Sequence, residues 1–232
     1  MPLPTSKTPQ RKTLEEQAIL IYGPPKIGKS TLASQFDAPL FLATEAGLNS
    51  LEVYQVPIPG WESFLVSCRE IAEGKHEFKT IVIDTIDNLF KACSEYVRKK
   101  NNIQHESDLE WGKGWQMVKD EFLRALTKLS LLPYGLVMVS HADNVEIKTR
   151  TAKINKSVPT LPKSAREIVL GMADIILFCE STVTDNGEVR IMRTKPSENW
   201  EAGDRTGKLP AVLPLDFNAF KEAFNKNKGD KK

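Results

Sequence analysis

Residues 18–32 read AILIYGPPKIGKSTL. The first five of them form an apolar run that is long enough for one buried strand and too short for a typical helix. Residues 23–30 then match the pattern G-x-x-x-x-G-K-[ST] without a mismatch. The glycines allow the backbone to turn so that successive N–H groups point inward and form a concave anion site. The stretch therefore predicts a strand, a phosphate-binding loop (residues 23–30) and the start of a helix.

The phosphate-binding loop also predicts which side chains hold a nucleoside triphosphate. Lys29 can reach the β- and γ-phosphates, and the hydroxyl of Ser30 can ligate Mg²⁺. A helix that begins near Lys29 would add the positive end of its dipole to the anion site. The alternative is a Gly- and Pro-rich turn that only joins a strand to a helix, but the flanking strand and helix patterns favour phosphate binding. The predicted nucleotide contacts are Gly23, Pro24, Pro25, Lys26, Ile27, Gly28, Lys29, Ser30 and Thr31.

The composition is typical of a globular protein. The chain has 232 residues, of which 41% are hydrophobic and 27% charged, so its length suits one large domain with a sizeable core. The net charge of +2 neither requires nor excludes nucleic acid, so any basic surface must be local. The three cysteines are far apart and lack metal-ligand spacing, which favours reduced thiols in the cytoplasm. There is no apolar run of ~18–20 residues and no signal-peptide pattern, so we expect a cytoplasmic protein without a membrane partner.

Apolar runs alternate with amphipathic stretches along the chain. Strands are predicted at 18–22, 39–44, 80–84, 134–140, 173–179 and 188–194, and helices at 30–35, 61–72, 86–100, 115–132, 162–171 and 217–225. Residues 145–158 suit a hairpin or a mobile loop. This alternation predicts an α/β fold with a mostly parallel central sheet, helices on both faces and antiparallel additions at the C-terminal side. The predicted organisation is a flexible arm (1–13), a single domain (14–225) and a disordered basic tail (226–232).

Polar residues follow several predicted strands at the carboxyl edge that parallel strands share. Asp84 is placed to hold Mg²⁺ through a water, although it could instead cap the following helix. Glu45 can orient a water and take its proton during attack on the γ-phosphorus, or it is a solvated side chain at a loop start. Ser140 and His141 can hydrogen-bond the γ-phosphate and register its loss, or the histidine is structural.

Basic side chains are concentrated after His141. Glu146 is the one acid between Val145 and Lys163 in the sequence. Such a segment suits the phosphate backbone of a nucleic acid, with strongly salt-dependent binding, but a solvated charged hairpin is equally compatible. The predicted DNA-binding cations are Lys148, Arg150, Lys153, Lys156 and Lys163.

Two further groups of cations have alternative interpretations. Trp111 and Trp115 flank a Gly-Lys-Gly sequence and follow the basic residues 98–100, a pattern that can stack the bases of a single strand. For this pair, however, we expect at least one tryptophan to pack in the core. Arg193 and Lys195 close the strand at 188–194, where they could reach a neighbouring subunit's γ-phosphate as a finger, contact DNA or be surface charges.

The order of these motifs resembles the RecA/KaiC branch of the P-loop ATPases. The phosphate-binding loop is followed by FLATE at 41–45, IVIDT at 81–85 and VMVSH at 137–141. The chain is most similar to the small phage-type ATP-binding proteins of that branch, some of which act in single-strand annealing or recombination. RTKP at 193–196 and EAGDRTG at 201–207 share this similarity, which covers roughly residues 17–215.

The resemblance implies a RecA-like P-loop core that binds ATP and Mg²⁺. Lys29 and Ser30 would contact phosphate and Mg²⁺, Asp84 would be the Walker B acid, and Glu45 would be the water-activating glutamate. His141 stands where RecA carries a glutamine that senses the γ-phosphate, and the basic segment beyond it would be a DNA-binding loop. The residues that resemble the paired basic finger of KaiC-like ATPases are Arg193 and Lys195.

Departures from the family pattern refine the functional prediction. The histidine at the sensor position, and the lack of a RecA-type polymerisation segment and of a separate DNA-binding domain, favour annealing over autonomous strand exchange. We therefore predict a Mg²⁺-dependent ATPase that forms a ring or filament and binds single-stranded DNA in phage-type recombination, annealing or repair. A single-strand-binding protein is a candidate partner, and the location would be the host cytoplasm if the protein is phage-encoded.

Two other functional classes remain open at this point. A P-loop kinase acting on a small acceptor could use the basic segment as an Arg-rich lid, although Glu45 suits water better than a substrate hydroxyl as the nucleophile. A nucleotide-switched oligomeric module would bind a protein partner and not DNA. Phosphate release without an acceptor separates the kinase from the ATPase, and assembly that is indifferent to DNA identifies the module.

Overall fold

The computed structural model describes residues 5–7, 13–148, 153–185 and 187–226. The strands in these residues are β1 (Ala18–Gly23), β2 (Pro39–Ala43), β3 (Tyr54–Pro57), β4 (Thr80–Asp84), β5 (Gly135–Lys148), β6 (Lys153–Pro159), β7 (Ile175–Thr184), β8 (Gly187–Arg193), β9 (Gly203–Asp204) and β10 (Val212–Pro214). The α-helices are α1 (Lys29–Ala33), α2 (Trp61–Glu73), α3 (Ile86–Lys100), α4 (Lys113–Ser130), α5 (Lys163–Met172) and α6 (Phe217–Lys226). Short 3-10 turns cover Leu14–Glu16, Glu106–Asp108 and Glu110–Gly112. Most of the predicted arm and tail lies outside the described residues.

A central sheet with the order β10-β8-β7-β1-β5-β4-β2-β3 organises the molecule. The strands from β7 to β3 in that order pair in parallel. The antiparallel pairs are β7 with β8 and β9, β8 with β10, and β5 with β6. The predicted α/β architecture, with a mostly parallel sheet and antiparallel additions at the C-terminal side, is therefore confirmed.

The sheet is buried on both faces, as its uninterrupted apolar strands require. Along β1, Leu20 packs in the core on one face, whereas Ile19 and Ile21 pack in the core on the other. The first core is closed by α2, α3, α4 and α5, where Phe122 of α4 packs against Phe90 of α3 with ring centroids 5.1 Å apart. The second core is closed by α1 and α6, and it includes the buried Phe220 of α6. This packing holds all the parallel strand ends at one edge.

Local signals placed most helix ends correctly. The helix predicted at 61–72 ends at Glu73, because Gly74 adopts the left-handed conformation with φ 69° and its N–H donates to the carbonyl of Ile71. α3 spans the predicted residues 86–100. In the described part of the chain, no helix combines the length and apolarity that a membrane crossing needs.

The sequence-based prediction missed the edge strand β3 and underestimated the length of β5. β3 lies at the end of the sheet with three of its four residues exposed, so it carries no burial pattern to detect. β5 continues past Ser140 to Lys148 because residues 142–148 pair antiparallel with β6. The 145–158 segment is therefore mostly a hairpin, with residues 149–152 outside the described range.

The expectation that Trp111 or Trp115 packs in the core is wrong. The side chain of Trp111 is 97% exposed and that of Trp115 is 52% exposed. The backbone turns at Trp111 (φ 60°) and Gly112 (φ 70°), directly before α4 begins. The apolar face of α4 that does enter the core begins further along, at Val118 and Phe122.

Candidate nucleotide site

The phosphate-binding loop joins β1 to α1 at the carboxyl edge of the sheet. Lys26 and Gly28 adopt positive φ angles of 63° and 115°, so the chain turns sharply between the strand and the helix. Gly28 is the residue before α1, where a side chain would be strained. Backbone turns of this kind form the concave anion sites of phosphate-binding loops. Pro24, Pro25, Lys26 and Thr31 are exposed, whereas Ile27 is buried as the internal anchor of the loop.

The side chain of Lys29, which is predicted to bind the phosphates, folds back into the phosphate-binding loop. Its side chain is 6% exposed, and its ammonium group donates to the carbonyl oxygens of Gly23 (3.0 Å) and Pro24 (2.8 Å). Burial lowers the pKa of Lys29, and the nearby carboxylates of Asp84 and Glu45 partly offset this effect. Lys29 is followed directly by Ser30, whose hydroxyl donates to Asp84, so the ammonium group and this carboxylate belong to one site. Phosphate oxygens are stronger acceptors for an ammonium group than neutral carbonyls.

Ser30 and Asp84 form the pair that is suited to Mg²⁺. The Ser30 hydroxyl donates to Oδ2 of Asp84 at 2.6 Å, although the two residues are 54 positions apart. Both groups offer the oxygen ligands that Mg²⁺ prefers, so Ser30 and Asp84 would hold the ion together with phosphate and water oxygens. No group of three His, Cys, Asp or Glu side chains able to hold a metal occurs in the described residues.

Hydrogen bonds between strand ends align Asp84 with Glu45. The Thr44 N–H donates to the carbonyl of Asp84 at 2.8 Å, and the Thr85 N–H donates to the Thr44 hydroxyl at 2.8 Å. The peptide bond between Asp84 and Thr85 is cis. Burial raises the pKa of Asp84, and the charge of Glu45 raises it further. The ends of β2 and β4 therefore present two carboxylates at one place.

Glu45 is held by side chains from two other elements while it remains partly exposed to solvent. Asn88, in the first turn of α3, donates its amide N–H to Oε2 of Glu45 at 2.8 Å. Nε2 of His141 lies 3.7 Å from Oε1. A carboxylate with one oxygen engaged and access to solvent can orient a water molecule and accept its proton. The predicted positions of Glu45 and His141 thus come together with the phosphate-binding loop.

Asp87 is the site residue that sequence reasoning missed. This buried carboxylate accepts a hydrogen bond from the Ser140 hydroxyl (2.6 Å) and another from the His141 backbone N–H (2.8 Å). Burial raises the pKa of Asp87, and the two hydrogen bonds act in the opposite direction. An available signal was an acid in the first turn of α3 between the buried residues Ile86 and Leu89. Through these two bonds Asp87 holds the middle of β5, the strand that carries the predicted sensor residues Ser140 and His141 and is called the sensor strand below.

One ring nitrogen of His141 forms no hydrogen bond with the described residues. Its Nδ1 atom is buried and has no hydrogen-bond partner in the described part of the chain. Its carbonyl accepts from the Thr160 N–H at 2.9 Å, which ties it to the end of β6. An imidazole held this way can exchange hydrogen bonds with a phosphate oxygen or a water.

The predicted finger cations are paired within their own chain. The Arg193 Nε–H donates to Oε1 of Glu180 at 2.7 Å, and its guanidinium group lies over the ring of Trp200 at 4.8 Å. Lys195 contacts Asp204 at 3.4 Å. A role in a neighbouring subunit's site therefore stays a prediction, and it requires these contacts to open.

A cation that the sequence analysis did not select lies nearer to the phosphate-binding loop. The Arg190 guanidinium donates to the carbonyl of Ile27 at 3.3 Å. Together with Ser181 and Glu188 it lines a cavity of about 460 Å³ beside Pro24 and Lys26. The β7–β8 hairpin thus supports the outer side of the loop.

The predicted DNA-binding cations differ in their availability. Lys153 contacts Glu146 at 3.3 Å on the exposed surface of the hairpin, and Lys163 is exposed at the start of α5. Lys156 is only 18% exposed and contacts Glu201 at 2.9 Å. Only the backbone of Lys148 is described, and Arg150 lies outside the described residues. DNA binding by these residues stays a prediction.

The chain is similar to one protein family and to individual known proteins. The model of the AAA domain family matches residues 15–206. A curated relative, the SPbeta prophage-derived uncharacterized protein YorG of Bacillus subtilis (strain 168), is 27% identical over 180 residues, which are 75% of this chain and 54% of YorG. The chain thus spans about half the length of this relative. A KaiC-like protein, PH0186 of Pyrococcus horikoshii OT3, superposes with a TM-score of 0.47 and 14% identity over 78% of this chain and 80% of that one.

Proposed function

This chain belongs to the AAA domain family, and from that premise we propose that it is a Mg²⁺-dependent ATP hydrolase that binds single-stranded DNA and acts as a homo-oligomer. The observation that carries the proposal is the convergence of four side chains from three parts of the chain. Lys29 and Ser30 come from the phosphate-binding loop, Asp84 from the end of β4, and Glu45 from the residues after β2.

Each of these residues has a defined task in hydrolysis. Lys29 exchanges the carbonyls of Gly23 and Pro24 for the β- and γ-phosphates, and Ser30 and Asp84 hold Mg²⁺. When bound, the ion neutralises charge that develops on the phosphate oxygens. Glu45 orients a water towards the γ-phosphorus and accepts its proton.

The path from the site to the hairpin supports a DNA-binding role. β5 is continuous from Gly135 to Lys148, so the strand that carries Ser140 and His141 at the site also forms one arm of the basic hairpin. A change in the contacts of His141 on loss of the γ-phosphate would act directly on that arm. A role in phage-type recombination, annealing or repair in the host cytoplasm agrees with the prophage origin in the name of the relative YorG.

The experiment measures phosphate release with and without an oligothymidylate strand, together with anisotropy of the labelled strand over a salt series. We expect ATP-dependent binding that weakens steeply as salt rises, and faster hydrolysis with the strand. Lys153→Glu should weaken binding, whereas Lys75→Glu, another exposed lysine paired with a glutamate, should not. Absence of ATP-dependent binding at low salt would refute the DNA part, and absence of hydrolysis without an acceptor would refute the ATPase.

One observation favours a second candidate, a nucleotide-switched oligomeric module without DNA binding. Several of the predicted contact cations are already paired with acids of the same chain: Lys153, Lys156, Arg193 and Lys195. Internal pairing lowers the positive charge available to a phosphate backbone. Measuring particle size with and without ATP, in the absence of DNA, identifies this candidate if assembly follows ATP and the hydrolysis rate ignores the strand.

A further inference from the structure

The segment between α3 and α4 presents two large aromatic side chains to solvent. Trp111 is 97% exposed and Trp115 is 52% exposed, at positions four residues apart around the start of α4. An exposed pair of this size marks a recognition surface more often than a scattered apolar residue does. Neither residue takes part in the nucleotide site described above.

This segment is firmly held, so the exposure of Trp111 follows from a defined conformation. Glu106 is buried, and its carboxylate accepts a hydrogen bond from the Ser94 hydroxyl. Arg98 contacts the same carboxylate at 3.6 Å. The guanidinium of Arg98 also donates to the carbonyl of Gln104 at 2.8 Å. Gly114 packs so closely on the backbone of Glu106 that a Cβ there would overlap its carbonyl. The tryptophans are therefore presented without the cost of ordering a loose loop.

Three exposed lysines stand at the ends of the two helices that flank this segment along the chain. Lys99 and Lys100 end α3 and Lys113 begins α4, and all three are exposed. None of them forms an ion pair in the part of the chain that the structure describes, and Lys100 lies over the ring of Tyr96 at 5.5 Å. Of the exposed acids in the connecting segment, Asp108 accepts hydrogen bonds from the backbone N–H groups of residues 104 and 105, whereas Glu110 is exposed next to Trp111.

We propose that Trp111 and Trp115 stack the bases of a single-stranded nucleic acid whose phosphates are held by Lys99, Lys100 and Lys113. Indole rings stack bases of any sequence, and neighbouring cations hold the backbone. Tryptophan also occurs in protein–protein interfaces, but lysine is depleted there, so the lysines favour nucleic acid over a protein partner. Unstacked bases are available in a single strand and are enclosed in a duplex.

The inference rests on the proposed DNA-binding function and names a surface other than the basic hairpin. α3 connects this surface to the nucleotide site, since Asp87 and Asn88 in its first turn contact the sensor strand and Glu45, and Lys99 and Lys100 form its end. A strand that reaches from the hairpin to the tryptophans would contact both elements that respond to the γ-phosphate.

The test measures binding of fluorescein-labelled oligothymidylate to the full chain by anisotropy. Stacking of one base contributes about 1–3 kcal/mol, so Trp111→Ala should weaken binding by about 5- to 150-fold. Leu131→Ala, which removes a 76% exposed apolar side chain at the opposite end of α4, should leave affinity unchanged. Lys113→Gln should lower the slope of log affinity against log salt by about 0.7.

The outcomes separate this inference from the proposed function. If Trp111→Ala binds like the wild type while Lys153→Glu binds weakly, the tryptophan surface is refuted and DNA binding by the hairpin stands. If Trp111→Ala changes the particle size and not the affinity for the strand, the surface joins copies of this chain and the inference is also refuted. Quenching of tryptophan fluorescence by the strand, lost in Trp111→Ala and absent with a duplex of the same length, supports it.

Discussion

Replacing Asp87 with asparagine or alanine tests whether this buried carboxylate positions the sensor strand. Asp87 accepts one hydrogen bond from Ser140 and one from the His141 N–H. In Asp87→Asn, the amide oxygen can keep the bond from the His141 N–H, and the amide N–H group can donate to the Ser140 oxygen. The Ser140 hydroxyl hydrogen can then turn to the carbonyl of His141, which is 3.0 Å away. The asparagine variant therefore keeps the hydrogen bonds to Ser140 and His141 and removes only the negative charge.

Asp87→Ala removes both acceptors. Ser140 can still bond the His141 carbonyl, but the His141 N–H loses its partner in a buried place. An unsatisfied buried donor costs about 1–3 kcal/mol, so we expect the free energy of unfolding to fall by about that amount. Because Ser140 and His141 are then held less firmly, we expect phosphate release to slow by about tenfold, the equivalent of ~1.4 kcal/mol in the barrier. Asp87→Asn should keep most of the wild-type rate.

The charge of Asp87 makes the free energy of unfolding depend on pH, and the direction follows from the raised pKa of this carboxyl. Burial raises its pKa above the ordinary 3.8, so the folded protein holds this proton more tightly than the unfolded chain does. The stability that comes from this group is complete below pH 3.8 and is lost as the pH rises through the folded-state pKa. Asparagine does not titrate, so Asp87→Asn should gain stability relative to the wild type as the pH rises from about 4 to 7, by ~1.4 kcal/mol for each unit of raised pKa.

Urea unfolding at several pH values, combined with phosphate-release assays, checks these expectations. Asp120→Asn, which neutralises an exposed carboxylate on α4, is the matched control and should show no such gain. A stability difference between Asp87→Asn and wild type that is constant with pH, or that falls as the pH rises, would refute the reasoning. So would an Asp87→Ala variant that hydrolyses ATP as fast as the wild type.

Three further substitutions test the site and its scaffold. Lys29→Ala should abolish ATP binding in calorimetric titration, since the ammonium group that contacts the phosphates is gone, and undiminished affinity would contradict its role. Glu45→Gln should keep ATP affinity and lose phosphate release, so equal turnover would remove Glu45 from catalysis. Gly23→Ala should lower the free energy of unfolding by at least about 1–3 kcal/mol, because its Cβ would overlap the carbonyl of Cys179. The control is Gly171→Ala, whose Cβ would enter open space within α5. This variant should be neutral or stabilising by up to ~1 kcal/mol in the same thermal unfolding assay.

Much of the fold and the centre of the site were predictable because their signals are local. The phosphate-binding loop is one continuous stretch, and an apolar run that ends in a carboxylate identifies the end of β4 and Asp84 without knowledge of any other residue. Alternating strands and helices imply a parallel sheet, and a parallel sheet collects its carboxyl ends at one edge. These two inferences were enough to predict that Glu45, Asp84 and Lys29 lie at the same edge of the sheet.

The folded chain alone revealed the features that depend on distant partners. Asp87 meets Ser140 and His141 across 53 and 54 residues, and those contacts require β5 to lie between β1 and β4 in the sheet. The exposure of Trp111 follows from a backbone turn held by Glu106 and Gly114. Residue spacing reports which side of a helix or strand a side chain occupies. It carries no information on strand order or on which distant residues become neighbours. The contacts of Asp87 with Ser140 and His141 and the exposure of Trp111 depend on that information.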